Sequence, residues 1–241
     1  MTKSMMVGVL AVALLAGATR EARAQGSAEP KLFAGIEFGA QTTQRTVTST
    51  TSFSLYEETA SVTTFQPVHN GPVFGGSLGF KLKPAFGIAA GVTMFNARTA
   101  DATVAASIPD LLFFNRAKSV TATATGLSHS QLGIHLQAVF FRPLSSKLEL
   151  VLAGGPSIIK VSHDVATATV ATGTQNVTTS SASQTGNAFG FNAGGEVNYR
   201  LTQKVLFGIF GRYVAATTDL DTVPDLKLGG VQAGLGLRLR F

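Results

Sequence analysis

The amino-acid sequence predicts an all-β fold: an eight-stranded antiparallel transmembrane up-and-down β-barrel with short periplasmic turns and long extracellular loops. Three observations predict it. First, the closing segment alternates without error, with Val231, Ala233, Leu235, Leu237, Leu239 and Phe241 apolar and Gln232, Gly234, Gly236, Arg238 and Arg240 between them. Successive strand side chains point to opposite faces, so one face is continuously apolar and the other carries two arginines. Second, the chain is 45% hydrophobic and only 13% charged, with 26 glycines. Beyond the N-terminal leader, no uncharged apolar run is long enough for a spanning helix, which needs about 18–20 residues. Third, the connections between alternating segments are short and long in turn, as in barrels that cross an outer membrane.

The order of elements starts with a leader. Met1-Thr2-Lys3 is a short positive head, Met5 to Ala18 carries no charge, and Ala22-Arg23-Ala24 is an A-x-A cleavage site. This layout predicts a secretory signal peptide over 1–24, with the barrel over 25–241. Gln25 rather than Cys follows the cut, which argues against a lipid anchor.

The first predicted strand is Leu32 to Gln41, with Leu32, Ala34, Ile36, Phe38 and Ala40 facing outward. The second is Val73 to Leu82 and the third Phe86 to Phe95, joined by Lys83-Pro84-Ala85. The fourth is Gln131 to Phe141, with Leu132, Ile134, Leu136, Ala138 and Phe140 outward. The fifth starts at Leu148, and a bulge is expected at Gly154-Gly155-Pro156. The sixth is Phe189 to Leu201, the seventh Val205 to Tyr213, and the eighth is the closing segment. An even count suits a closed single-chain barrel, and closure is required because lipid offers no partner to a free sheet edge.

Short links follow the second, fourth and sixth strands. Long ones run over Thr42 to Pro72, Asn96 to Ser130, Lys160 to Ala188 and Val214 to Lys227. Both chain ends then lie on the periplasmic side. Within the long links, Ser119 to Ala124 and Val165 to Val170 alternate Thr or Ser with Ala and Val. They are expected to extend the fourth and fifth strands. Asn176 to Thr185, a Ser/Thr tract, is expected to be disordered.

With these features in place, the mature chain resembles the small eight-stranded outer-membrane β-barrels of the OmpA/OmpX-like superfamily. The resemblance rests on the leader, the loop rhythm and the ending Leu235-x-Leu237-x-Leu239-x-Phe241. It implies insertion in a cell outer membrane, contact with outer-membrane lipid or lipopolysaccharide, and use of that ending as the signal read by the barrel assembly machinery.

Function is less legible. Inward-facing charges are Glu37, Lys81, Glu149, Glu196, Arg200, Arg212, Arg238 and Arg240, beside His135. Buried charges must be paired, so Glu37, Glu149, Glu196, Arg200, Arg212, Arg238 and Arg240 are expected to form a lumenal network that plugs the barrel. A three-residue turn between the sixth and seventh strands sets Glu196 opposite Phe210 and diagonal to Arg212. The sequence thus predicts a structural or surface-interaction protein that is not an enzyme, has no cofactor and binds no nucleic acid, with the loop ligand open. With no Cys, thiol chemistry is excluded, and the net charge of +6 forms no basic cluster.

Three rival readings stand beside it. A narrow pore or small-ligand transporter would use the lumen. A lipid A-modifying enzyme would draw Ser128-His129-Ser130 and His163-Asp164 together at the outer ends of the fourth and fifth strands. Ile108 to Phe114 is an apolar loop suited to a ligand entrance or partner, and Asp219, Asp221 and Asp225 would suit Ca²⁺ only outside an EF-hand pattern.

Overall fold

Period-two alternation folds into twelve strands in the computed structural model, which describes residues 31–42, 45–98, 101–110, 112–170 and 176–241. The predicted signal peptide lies outside the described residues. The strands are β1 (Leu32–Thr42), β2 (Arg45–Leu55), β3 (Glu58–Val68), β4 (Gly71–Lys83), β5 (Phe86–Arg98) and β6 (Ala102–Pro109). They continue with β7 (Ala117–Ala124), β8 (Ser128–Pro143), β9 (Leu148–Val170), β10 (Val177–Arg200), β11 (Val205–Leu220) and β12 (Val223–Arg240).

Eight of them close into a barrel in the order β1-β12-β11-β10-β9-β8-β5-β4. These are the eight segments the alternation predicts, and every neighbouring pair is antiparallel. Closure joins β1 to β12 from Phe33↔Arg240 to Thr42↔Val231, and Phe241 exchanges backbone hydrogen bonds with Leu32. The outward apolar residues remain uncovered: Ile36 is 61% exposed, Leu136 62% and Ile209 60%. A belt of this size on every barrel strand is a lipid-facing surface.

Past that belt the two faces exchange character along the same strands. On β9, Leu148, Leu152 and Ile158 point outward, while Glu149 and Ser157 point in. A few residues on, Lys160 and Ser162 point outward, while Ile159, Val161 and Val165 are buried inside. The long-strand end of the barrel therefore stands in water and has an apolar interior.

Three loop expectations are corrected. The Thr42–Pro72 and Asn96–Ser130 connections are not loops but hold β2, β3, β6 and β7, a second sheet in the order β2-β3-β6-β7. Ser119 to Ala124 accordingly belongs to β7 and does not extend β8. Gly126, at a φ of 75° that favours glycine, breaks the chain between them. Pairing with β6 and an apolar face, including Val104, Ala106, Ile108 and Ala166, hold it there. Asn176 to Thr185 is not disordered: from Val177 it is strand, paired residue for residue with β9. Its hydroxyls meet those of the partner strand, Ser180 with Thr167 at 2.8 Å and Ser183 with Ser162 at 3.2 Å. Val165 to Val170 does extend β9, as expected.

The bulge expected at Gly154-Gly155-Pro156 is also absent. β9 runs through it against β10 with no shift. Pro156 stands opposite Leu136 and has no amide to donate, so the β8–β9 ladder skips that level and resumes in the same register at Ala138↔Gly154. The register shifts fall elsewhere, at Lys81/Lys83 and at Thr218/Leu220.

Candidate functional site

Inward parity brings the lumenal side chains together in layers. Nearest the short turns, Arg240 pairs with Glu149 and Arg238 with Glu196. Above them Arg212 Nη2 lies 3.1 Å from Glu37 Oε2. These are the ion pairs among the described residues, and all six side chains are largely withdrawn from solvent. Arg200 has inward parity but sits exposed at the short-turn rim, outside all three pairs.

The pairing differs from the expected diagonal. Glu196 does stand opposite Phe210, but its partner is Arg238 and not Arg212. Glu196 and Arg238 flank the row Asn198–Gly208–Gly236. A Cβ on Gly208 would come within 3.0 Å of Glu196 Oε1, and one on Gly236 within 3.2 Å. Two absent side chains thus open the crossing. Arg212 is instead drawn to Glu37 and donates from Nε to Gln232 Oε1 at 2.9 Å. A cavity of about 40 Å³ adjoins Glu37, Ser77, Gln137, Glu196, Arg212 and Arg238, room for no more than about three waters.

Amides and one imidazole form the next layer. His135 bonds Thr93 Oγ1 and Ser157 Oγ, both at 2.8 Å. Asn192 donates to Ser157 Oγ at 2.9 Å, and Gln232 donates to Gln41 Oε1 at 2.6 Å. Strand alternation turns Gln41, Asn192 and Gln232 inward, but their mutual bonding needs the closed ring.

Above the lipid-facing belt, β8 and β9 pair His129 with His163. Gly229 N–H donates to Gln131 Oε1 at 3.0 Å, so Gln131 Nε2 donates to His129 Nε2 at 2.7 Å. The His129 proton then lies on Nδ1 and is donated to His163 Nδ1 at 3.0 Å. This chain requires both rings to be neutral. Burial, then His163 and then Arg45 push the His129 pKa down to about 3. Burial lowers that of His163 to about 4, against a smaller opposing pull from Asp164. Both lie below the ordinary value near 6.5, so the unfolded chain takes up protons first. Stability is expected to be complete above about pH 7 and to fall as pH drops through 6.5 towards 4. Urea midpoints measured across that range should show this slope in the wild type and a shallower one in His129→Gln/His163→Gln.

The segments weighed for lipid chemistry do meet, but not as a nucleophile, base and acid in sequence. Ser128 Oγ donates directly to Asp164 Oδ2 at 2.5 Å at the surface, while His129 turns inward to His163. No imidazole stands between the hydroxyl and the carboxylate, so the three groups do not form a nucleophile–base–acid relay. Burial would raise the Asp164 pKa, but hydrogen bonds from Ser128 and Ser183 outweigh it and hold the carboxyl low.

The interior closes in an apolar plug of Ile159, Val161, Val165, Val214, Leu226 and Leu228 with their neighbours, and Val47 of β2 and Val68 of β3 roof it. Arg45 holds that hairpin down, donating to the carbonyls of Lys227 and Gly229. Nothing in the local sequence marks the roof, because it joins β2 and β3 to strands far along the chain.

The remaining candidates resolve locally. Asp225 N–H donates to Asp219 Oδ1 at 2.8 Å, a turn of the β11–β12 link. Among the described residues no group of three or more His, Cys, Asp or Glu could hold a metal ion. The apolar loop splits: Ile108 is fully buried, whereas Leu112 and Phe114 are 84% and 74% exposed, and Leu111 lies outside the described residues. Leu235 and Phe241 of the C-terminal ending are about half exposed, and Leu237 and Leu239 share their outward parity.

No family model and no curated protein matches the chain. Among solved structures it is similar to Neisserial surface protein A, with a TM-score of 0.49 and 16% identity, covering 87% of this chain and 97% of that one. It is also similar to Ail, the attachment invasion locus protein of Yersinia pestis, with a TM-score of 0.36, 13% identity and coverage of 88% and 100%. The N-terminal β-barrel domain of Pseudomonas aeruginosa OprF gives a TM-score of 0.36, 12% identity and coverage of 88% and 98%.

Proposed function

We propose that this eight-stranded membrane barrel is a closed outer-membrane scaffold that displays a folded β-sheet surface to the exterior. The observation that carries the reading is the filled interior. Ion pairs, then amides, then neutral histidines, then an apolar plug succeed one another from the short turns upward, and the β2–β3 hairpin roofs the stack. An eight-stranded barrel is just wide enough for such side chains to fill. The short turns and both chain ends then face the periplasm, and the four-stranded sheet with its Ser/Thr-rich surface faces outward. Leu112, Phe113 and Phe114 are the apolar tip of that display.

The partners follow from this placement. The apolar belt meets outer-membrane lipid or lipopolysaccharide, and the Leu235–Phe241 ending serves the barrel assembly machinery. The reading is non-enzymatic: the outer-end serine and histidines point to different partners.

Planar-bilayer conductance tests it. The refolded protein is expected to give no resolved steps. Stable unitary steps would favour the narrow-pore reading and end the closed-scaffold one.

A further inference from the structure

Cations stand at both ends of the barrel, but exposed carboxylates stand at one end among the described residues. At the short-turn end, Lys31, Lys83, Arg142, Lys147, Arg200 and Lys204 are all exposed, and none joins the ion pairs among the described residues. They are spread over the start of β1 and all three short hairpins, so they encircle the mouth. Among the described residues, no Asp or Glu side chain is exposed at this end, where Glu149 is buried against Arg240. Among the described residues, every carboxylate side chain outside the lumen, from Glu57 to Asp225, lies at the opposite end.

The cations are set at a defined depth. Leu82, Leu144 and Leu201 are 61%, 53% and 57% exposed and lie within three residues of Lys83, of Arg142 and Lys147, and of Arg200 and Lys204 respectively. Lys147 Nζ lies 5.9 Å from the centre of the ring of Tyr199, which is exposed on the outward side of β10. Leucine, tyrosine and a cation in succession is the pattern of a membrane–water boundary, where long basic side chains reach for headgroups.

We infer that this rim is a docking ring for anionic phospholipid headgroups in the leaflet that adjoins the short turns. Phosphate is the group that suits it: lysine offers a point charge and arginine a planar fork to its oxygens. Leucines interleaved with the cations favour a bilayer over a soluble polyanion, which would have no use for them. The inference rests on the barrel spanning a bilayer, not on the lumen being closed.

The test uses the full mature protein refolded into vesicles of phosphatidylcholine and phosphatidylglycerol at 7:3, extracted gently, with the co-purified phospholipid quantified. Phosphatidylglycerol is expected to be enriched about fivefold or more over the bulk ratio, the factor a single cation near an anionic surface supplies. In Lys83→Gln/Arg142→Gln/Lys147→Gln/Lys204→Gln the ratio should return to that of the bulk, with folding checked by heat-modifiable gel mobility. Lys118→Gln/Lys160→Gln/Lys227→Gln, at the other end, should retain the enrichment. On the wild type alone, the enrichment should shrink as salt rises from about 0.05 to 0.5 M. A bulk ratio in the wild type, an unchanged ratio in the quadruple variant, or indifference to salt would overturn the inference. Co-sedimentation with peptidoglycan sacculi that depends on these cations, at a bulk lipid ratio, would give the rim to a cell-wall polymer instead.

Discussion

Glu196→Ala is expected to destabilise the refolded barrel by about 3–5 kcal/mol, the usual cost of removing one partner from a buried ion pair. Arg238 has no second carboxylate partner within the ion pairs among the described residues, and it packs against the Phe33 ring at 5.3 Å. Its charge would remain in a cavity of about 40 Å³, too small to hydrate it as bulk water does. Equilibrium urea unfolding in phospholipid vesicles, followed by far-UV circular dichroism, reads the loss; the chain has no Trp to report by fluorescence. Glu196→Ala/Arg238→Ala should cost less than the two single changes added together, because the second removes the stranded charge. Simple additivity would show that the two side chains do not act as a pair. The closed-lumen reading would then lose part of its ion-paired layer.

Leu136→Arg should cost about 2–4 kcal/mol, the penalty for a charge on the lipid face near the bilayer midplane. Leu136 is 62% exposed and stands mid-belt, with Ile134 and Leu132 towards the long-strand end and Phe140 towards the short turns. Thr185→Arg, also on an outward face but in the water-exposed half of β10, should change stability by less than about 0.5 kcal/mol. The same unfolding assay compares them. Equal costs at both sites would mean that the outward apolar face is not a lipid face. The contrast also locates the belt's upper edge, which the switch from Ile158 to Lys160 and Ser162 places on β9.

Much of this fold was legible because a membrane strand writes its two environments into alternate residues. Leu32, Ile36 and Phe38 against Glu37 and Gln41 define a strand, its two faces and the side of the wall each one takes. The same logic failed where the environment changed along a strand. Asn176 to Thr185 lacks apolar alternation because its outward face meets water, and pairing with β9 orders it. Ser119 to Ala124 carries a strand pattern, but a pattern names no partner, and β6 rather than β9 pairs with it. At the site, Glu37, Glu149, Glu196, Arg212, Arg238 and Arg240 were recognisable as inward charges. Which acid met which base was not recognisable, since the answer turns on Gly208 and Gly236 as bare steps in the wall.

By itself, then, the sequence determined the strands that cross, the face each turns to lipid and the sign of every lumenal charge. Those properties are local, set by side-chain parity and the cost of placing each group in oil or water. Only the tertiary structure decided the ion-pair partners, the His129–His163 contact and the roof that Val47 and Val68 lay over the apolar plug. Those depend on the register between strands far apart in the chain, and on which positions in a closed wall are empty enough for a neighbour's side chain to pass.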